Sequence, residues 1–327
     1  MDLYEPLVSI VIPAYNASNY LSKAIDSALN QTYKNIEVLV VNDGSKDNGK
    51  TEQIALSYGN KIRYFSKENG GSSSALNKGI KEMDGEWFSW LSHDDLYYPN
   101  KIEEEILLMR KMIAGGISEE DLCNYLFFGA ANLIDGQGKI IKRESKRNLE
   151  KTNKKINCPN GTLNLIAIPT QDGFHGCSCM VHKKAFAKVG FFDESLRLLN
   201  DMDIWFRFYT SGYTVKFIPE VLVCGRVHAS QVSRSIGFSY HNSEQDMFWN
   251  RSLEWLLINH SDNFKLINKF GLKAIEKTRY KEGWRAYNHN LRMHPIRSLL
   301  SVFRYIAIFL YSIFRNVAKQ IYLKVRA

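Results

Sequence analysis

Cysteine is scarce in this chain of 327 residues, which holds only Cys123, Cys158, Cys177, Cys179 and Cys224. The number is odd and no Cys-x-x-Cys pair occurs, which argues against a disulfide framework and against zinc, and fits a reducing cytoplasm. Long hydrophobic runs are missing too. The longest, Tyr305 to Phe314, is too short to span a bilayer and is flanked by Arg304 and Arg315. No basic-then-apolar segment precedes the first strand signal at Val8, so no signal peptide is expected. Internal repeats and low-complexity tracts are also lacking. Acidic residues almost vanish near the end. Between Asn263 and Ala327 stand fourteen Lys and Arg against two Glu, a local +12 within a whole-chain +9, which leaves the remaining residues at −3. The positive excess therefore belongs to the tail, and such tails serve nucleic acid, anionic lipid or no partner.

What is present is an alternation of β and α signals through the first hundred residues, the mark of a mostly parallel sheet. Val8–Ile12 reads as a strand, followed by a helix that starts near Ser18 and buries Leu21, Ile25, Ala28 and Leu29. Ile36–Val41 is a second strand, Thr51–Tyr58 a helix and Ile62–Phe65 a short strand. A glycine turn at Asn69-Gly70-Gly71 leads into a helix over 72–82. The Trp87–Leu91 strand and the Lys101–Met112 helix complete this half. Leu126–Ile134 and Lys139–Ile141 flank the hairpin signal Asp135-Gly-Gln-Gly138. Residues 142–160 are polar and lysine-rich, which predicts a mobile loop. Val181–Val189 and Asp201–Tyr209 look helical, whereas Thr214–Ile218 and Val221–Val227 look like strands. Beyond about Ser233 the pattern is helical. The division expected is 1–232 for an α/β domain and 233–327 for a helical C-terminal region with a basic amphipathic tail.

Two strands end in carboxylates. Ile36–Val41 runs into Asn42-Asp43-Gly44-Ser45, and Trp87–Leu91 into Ser92-His93-Asp94-Asp95 before Pro99. Ligands of open α/β sheets bind at the carboxyl ends of strands, so both acidic sites are expected to face one crevice. Carboxylates so placed suit Mg²⁺ or Mn²⁺, which share their oxygen ligands with a substrate diphosphate. Read with Val8-Ser-Ile-Val-Ile-Pro-Ala-Tyr-Asn16, Asn69-Gly-Gly-Ser-Ser-Ser-Ala-Leu-Asn77 and Asn200-Asp-Met-Asp-Ile-Trp-Phe-Arg207, these blocks closely resemble the family-2 glycosyltransferases over residues 6–235. The resemblance rests on five blocks in order. It implies a GT-A-type nucleotide-binding sheet flanked by helices, fused to a smaller acceptor-binding half.

The resemblance also implies roles. Pro13, Tyr15 and Asn16 would hold the base, with the Tyr15 ring as an aromatic face, and Asp43 would accept from the base imide. Asn69, Gly71, Ala75 and Asn77 would lie near the nucleotide sugar, and Lys67 near the pyrophosphate. His93 and Asp94 fall in the same nucleotide-binding set, and Asp94 takes the position of the metal-binding aspartate. The family often reads Asp-x-Asp-Asp here, so Ser92 removes one carboxylate from the first shell. His228 is a second candidate metal ligand, and His175-Gly176 a candidate lining of the acceptor pocket. Asp201 matches the general base, which removes the proton of the acceptor hydroxyl. Each residue has a structural alternative: Asp43 as an Asx turn, Asp95 as the cap of the turn before Pro99, and Asp203 as helix N-terminal charge.

The tail combines Ile296, Leu299, Leu300, Phe303, Ile306, Ile308, Phe309, Leu310, Ile313 and Phe314 with Arg297, Arg304, Arg315, Lys319, Lys324 and Arg326. An apolar face with basic flanks predicts an in-plane membrane helix, against the alternative of packing on the protein or a partner copy. Together these readings predict an inverting hexosyltransferase of surface polysaccharide biosynthesis. It would use a nucleotide-sugar donor, expected to be UDP-linked, and a saccharide or lipid-linked saccharide acceptor. The expected location is cytoplasmic, against the inner face of the cell membrane, with a homo-oligomer open and nucleic acid disfavoured. The Gln-x-x-Arg-Trp signature of processive synthases is absent, which favours single-sugar transfer. The rival readings are a sugar nucleotidyltransferase, whose glycine-rich Lys/Arg-bearing loop is missing, and a non-catalytic module with a degenerate metal site.

Overall fold

A computed structural model of the chain describes residues 4–159, 161, 175–229, 231, 238–277 and 279–326. It divides into two compact units, one reaching Gly237 and one running on from Phe238. The boundary expected near residue 233 lies outside the described residues.

The first unit is built on a nine-stranded sheet. Its strands are β1 (Val8–Ala14), β2 (Ile36–Asp43), β3 (Arg63–Lys67), β4 (Trp87–Trp90), β5 (Leu96–Tyr97), β6 (Tyr125–Ile134), β7 (Ile140–Lys142), β8 (Met180–His182) and β9 (Thr214–Arg226). The helices are α1 (Leu21–Leu29), α2 (Lys50–Leu56), α3 (Ser72–Glu82), α4 (Lys101–Ala114), α5 (Lys146–Ile156), α6 (Lys184–Val189) and α7 (Asn200–Thr210). The spatial order is β3-β2-β1-β4-β8-β6-β9-β5, with β7 paired to β6. β1 pairs in parallel with both β2 and β4, and β2 with β3. Every residue of β1 and of β4 is buried, as continuous apolar strands of a parallel sheet require. Beyond β4 the pairing is mixed: β8 runs antiparallel to β4 and β6, while β6 and β9 are parallel. This is the expected α/β sheet, parallel over the half whose carboxyl ends carry the acidic motifs.

Four local expectations are corrected. The first helix begins at Leu21, not Ser18, after a turn in which the Leu21 N–H bonds the Ala17 carbonyl; it buries Leu21, Ala24, Ile25 and Ala28. The lysine-rich 142–160 segment is not a loop throughout, because it contains α5. Ser145 caps α5 by accepting from the Asn148 N–H, and Ile156 anchors its last turn. Val181 is not helical: antiparallel pairing to Phe88 and Leu126 draws Met180–His182 into the sheet before α6 begins. Finally, β9 is one strand rather than two. It bulges around Pro219, where the register with β6 shifts between Phe128 and Ala130. At that bulge the Asn157 amide serves as a substitute strand, donating to the Phe217 carbonyl at 2.7 Å and accepting from its N–H at 2.9 Å.

The second unit comprises α8 (Phe238–Asn259), α9 (Phe264–Glu276), α10 (Tyr280–Met293) and α11 (Pro295–Arg326). Leu272, Ile275, Tyr287 and Tyr305 form a core that Trp284 and Phe309 complete. α9 and α10 approach closely because Gly271 faces Gly283; a Cβ on Gly271 would stand 3.0 Å from the Ala286 side chain. The tail is helical as expected, but the reading of it as too short to span a bilayer is revised. The helix is continuous, and its Pro295–Asn316 portion of 22 residues is long and apolar enough to cross a membrane by length and composition.

Candidate active site

The parallel register of β1, β2 and β4 sets the ends of all three at one edge of the sheet. Asn16 sits just past β1 with φ 49°, a conformation asparagine tolerates better than most residues. Its N–H donates to Ser45 Oγ at 2.9 Å, and its Oδ1 accepts from the Lys46 N–H at 2.7 Å. Asn16 thereby clamps the loop after β1 to the loop after β2. Tyr15 beside it is exposed, so its ring is available for stacking. Pro13 is buried in β1, and its carbonyl lies 3.2 Å from His93 Nδ1, joining the first motif to the Ser92–Asp95 motif.

Asp43 is the centre of a loop rather than an open acceptor. Its Oδ1 receives Lys67 Nζ at 2.8 Å and the Gly70 N–H at 2.9 Å; its Oδ2 receives the Gly71 N–H at 2.7 Å and Asn69 Nδ2 at 3.1 Å. Four donors occupy the lone-pair positions of a carboxylate. A base imide would have to displace one of them, and Lys67 is committed to Asp43, not held out towards a pyrophosphate. Gly71 has φ +90°, and a Cβ there would strike the Arg197 guanidinium. Asn69 and Gly71 thus shape the turn that Asp43 locks.

Ala75 and Asn77 do not reach the crevice, which corrects their expected place near the donor sugar. Both are buried on α3, Ala75 with no exposed surface. Asn77 donates to the Phe192 carbonyl and accepts from its N–H, each at 2.9 Å, and also donates to Glu194 at 2.9 Å. It fastens the 192–194 segment to α3.

The Ser92–Asp95 turn meets the end of β9. His228 Nε2 lies 2.9 Å from Asp94 Oδ2, across 134 residues of sequence, and the imidazole rests against Tyr20 with centroids 5.0 Å apart. Burial works to raise the Asp94 carboxyl, but the neighbouring His93 and the His228 hydrogen bond outweigh it and hold the group below the usual carboxylate range. Arg226 donates from Nε to the Asp94 carbonyl at 2.7 Å and stacks over Tyr20 at 4.6 Å. Asp95 does not cap the turn before Pro99 as expected. It accepts the Arg226 N–H at 2.7 Å and the Cys177 thiol at 3.2 Å, with His175 Nε2 at 3.7 Å. Burial raises the Asp95 carboxyl, against the pull of His175. Asp95, His175 and Cys177 place one ligand atom each within 4.8 Å of one another.

A carboxylate and an imidazole converging from two elements are a donor set that Mn²⁺ accepts, and Mg²⁺ through the oxygen, with the remaining positions open to a diphosphate. Asp94 and His228 therefore fit such an ion. Ser92 lies against Cys177, whose Sγ accepts the Ser92 N–H at 3.2 Å.

Asp201 stands in the first turn of α7. Its Oδ1 accepts the Met202 N–H at 2.7 Å, and a Cβ added to Gly176 would lie 3.4 Å from its Oδ2. Burial raises its carboxyl above the ordinary aspartate value, against the backbone hydrogen bond and His175. Asp203 instead accepts Arg207 Nε at 2.8 Å, and Arg207 grips the Val189 and Phe191 carbonyls. Asn200 ties α7 to α3 through Ser72 and Ser73.

The family profile described as glycosyl transferase family 2 matches residues 9–190, over half of the chain. The chain belongs to glycosyl transferase family 2. A second profile, glycosyl transferase family group 2, matches residues 167–323. Among relatives of this chain is an uncharacterized glycosyltransferase of Rickettsia felis, 46% identical over 257 residues, covering 78% of this chain and 40% of that protein. One from Rickettsia typhi is 48% identical over 238 residues, covering 72% and 68%. Chondroitin synthase of Pasteurella multocida is 47% identical over 100 residues, covering 30% and 10%. The chain spans about two fifths of the length of the first Rickettsia relatives it matches. The structure of S. aureus TarS 1–349 in complex with UDP-GlcNAc matches with a TM-score of 0.59 at 15% identity, covering 93% of this chain and 88% of that one. That likeness establishes a shared fold.

Within the glycosyltransferase fold, sequence reading missed two features. One is Arg226, which holds the backbone of the Asp94 turn; nothing distinguished it from a solvated arginine. The other is Cys177, whose contact with Asp95 spans 82 residues and has no spacing signature.

Proposed function

We propose that this chain transfers a single sugar from a UDP-sugar to a saccharide or lipid-linked saccharide acceptor, with inversion, in surface polysaccharide assembly. The observation that carries the reading is the convergence on one short segment. His175 and Cys177 both touch Asp95, the neighbour of the Asp94–His228 pair, and Gly176 between them faces Asp201. This arrangement supports a reading in which one carboxylate serves the donor diphosphate and another the acceptor hydroxyl. Support for the donor comes from the TarS complex with UDP-GlcNAc and from the Pasteurella chondroitin and hyaluronan synthases.

Tyr15 offers a ring to the base, and Asn16 and Asp43 fix the loops around it. Asp94 and His228 would hold Mg²⁺ or Mn²⁺, which when bound supplies charge neutralisation to the departing nucleoside diphosphate. Asp201 accepts the acceptor's hydroxyl proton at Oδ2 as the new bond forms. Its raised pKa suits a base, because a stronger carboxylate base draws the proton further. The exposed apolar stripe of α11, with Leu300 at 80% and Phe303 at 77% accessibility and no acidic residue in the helix, supports peripheral contact with the inner membrane face. A panel of nucleotide sugars with Mn²⁺ or Mg²⁺ tests the donor assignment: saturable binding of a UDP-sugar that Asp94→Ala abolishes is expected. Equal binding with and without the cation would reject the metal role.

A further inference from the structure

The Asp94–His228 pair leaves a second set of ligand atoms unused beside it. His175 and Cys177 belong to a tight turn, in which the His175 carbonyl accepts both the Ser178 N–H and the Ser178 hydroxyl at 2.8 Å. That turn brings both side chains to one oxygen of Asp95. Cys177 Sγ lies 3.2 Å from Asp95 Oδ2 and His175 Nε2 3.7 Å from it, with all three atoms within 4.8 Å of one another. A tetrahedral ion with zinc-like bond lengths holds such ligands roughly 3.4–3.6 Å apart, which the two separations to Oδ2 match to within about half an ångström. The imidazole is short of a partner. Its Nδ1 is buried without a hydrogen bond among the described residues, and Nε2 stands too far from Oδ2 for one. Its seat is nevertheless built: a Cβ on Gly225 would stand 2.7 Å from Nε2, so glycine in β9 leaves the ring its room. The His175 side chain is 29% accessible, which gives an ion a way in, whereas Asp95 and Cys177 are buried.

We propose that Asp95 Oδ2, His175 Nε2 and Cys177 Sγ form a Zn²⁺ site, separate from the Asp94–His228 pair, with a fourth position for water. The thiol proton passes to solvent as the sulfur–metal bond forms. Sulfur is what divides the two sites: a thiolate with an imidazole selects zinc, whereas Mg²⁺ and Mn²⁺ prefer oxygen. Unpaired cysteines argue against a cysteine-pair motif, but this set needs one cysteine and is assembled across 82 residues. Oδ1 of Asp95 keeps the Arg226 N–H throughout, so only Oδ2 changes its partner. A bound ion would tie the Ser92–Asp95 turn to the segment before β8. The site goes beyond the donor reading and stands without it.

Cobalt absorption of the full chain tests the site, because Co²⁺ takes the ligand sets of Zn²⁺ and its bond to a thiolate absorbs in the near ultraviolet. Co²⁺ added with excess Mg²⁺ present, to fill oxygen-only sites, should raise that band to a single equivalent per chain, and Zn²⁺ should then abolish it. Asp94→Ala should keep the band even as it loses UDP binding, whereas Cys177→Ser should lose the band. His175→Gln retains the thiol and should weaken zinc binding by more than the roughly 100-fold that loss of an outer-shell partner costs. Competition with a chromophoric chelator reads that change. No band in the wild type, displacement of cobalt by Mg²⁺, or a band that survives in Cys177→Ser would each overturn the site. Unchanged zinc affinity in His175→Gln would do the same, and keeps the test decisive if the Cys177→Ser chain fails to fold. Loss of the band in Asp94→Ala would merge the two sites and overturn their separation.

Discussion

At the scale of single residues, the two acidic centres differ in what surrounds them, and that difference predicts separable defects. Asp94 has an imidazole partner and is held ionised; Asp201 has one backbone donor and a burial that raises its carboxyl. Asp201→Asn should therefore keep donor affinity while turnover falls by about 10²–10⁴-fold. In the wild type the acid limb of the turnover profile should lie above the ordinary aspartate value of 3.8, because the base must be deprotonated. Asp201→Asn should lose that limb, and near-normal turnover in it would eliminate this base. The same group affects stability with a definite sign. Its folded pKa exceeds its unfolded one, so the folded state binds the extra proton, and stability is lost as pH rises through the folded value. The asparagine variant should consequently melt higher than wild type at neutral pH, with a flatter pH dependence below it, as calorimetry across pH would register.

Among the elements, the 189–194 segment is strapped to α3 by Asn77 and to α7 by Arg207, itself oriented by Asp203. These residues hold α7 against α3 through the 189–194 segment. Asn77→Ala leaves the Phe192 N–H and carbonyl buried without their partner. The expected cost is roughly 3 kcal/mol, from about 1–3 kcal/mol per stranded group. Urea unfolding should show that loss, and an unchanged midpoint would refute the strap. Asp203→Asn should likewise lower stability, with turnover per folded molecule preserved, in contrast to Asp201→Asn.

Over the whole molecule, every residue assigned to the donor lies before Gly237, whereas the basic helices form a unit with its own core. Removal of residues after 295 would delete Tyr305 and Phe309 from that core, so truncation is a blunter probe of membrane contact than substitution of the exposed stripe. Calorimetry should resolve two transitions. UDP with Mn²⁺ at a hundred times its dissociation constant should stabilise the first unit by about 2.7 kcal/mol and leave the second unmoved. A shift of both transitions together would show that the units melt as one.

The sequence by itself determined the α/β sheet, its family and the acidic motifs, because apolar runs and strand-end carboxylates are local signals. It also determined that the tail is a basic amphipathic helix. Only the tertiary structure decided which polar residues face the crevice. Asn77 and Ala75 belong to the same motif as Gly71 yet point into the protein, since a helix turns its residues through every direction. Asp43 reads as an open acceptor until the end of β3 and the glycine turn after it bring four donors to it, one from Lys67 and three from Asn69, Gly70 and Gly71. The pairing of Asp94 with His228, and of Asp95 with Cys177, spans the folded sheet and leaves no periodicity in the chain. Helix α5 and strand β8 were likewise hidden, the first by a lysine-rich surface and the second because its strand character comes from neighbours on both sides. Local chemistry is written along the chain; which groups meet is settled by the register of distant strands.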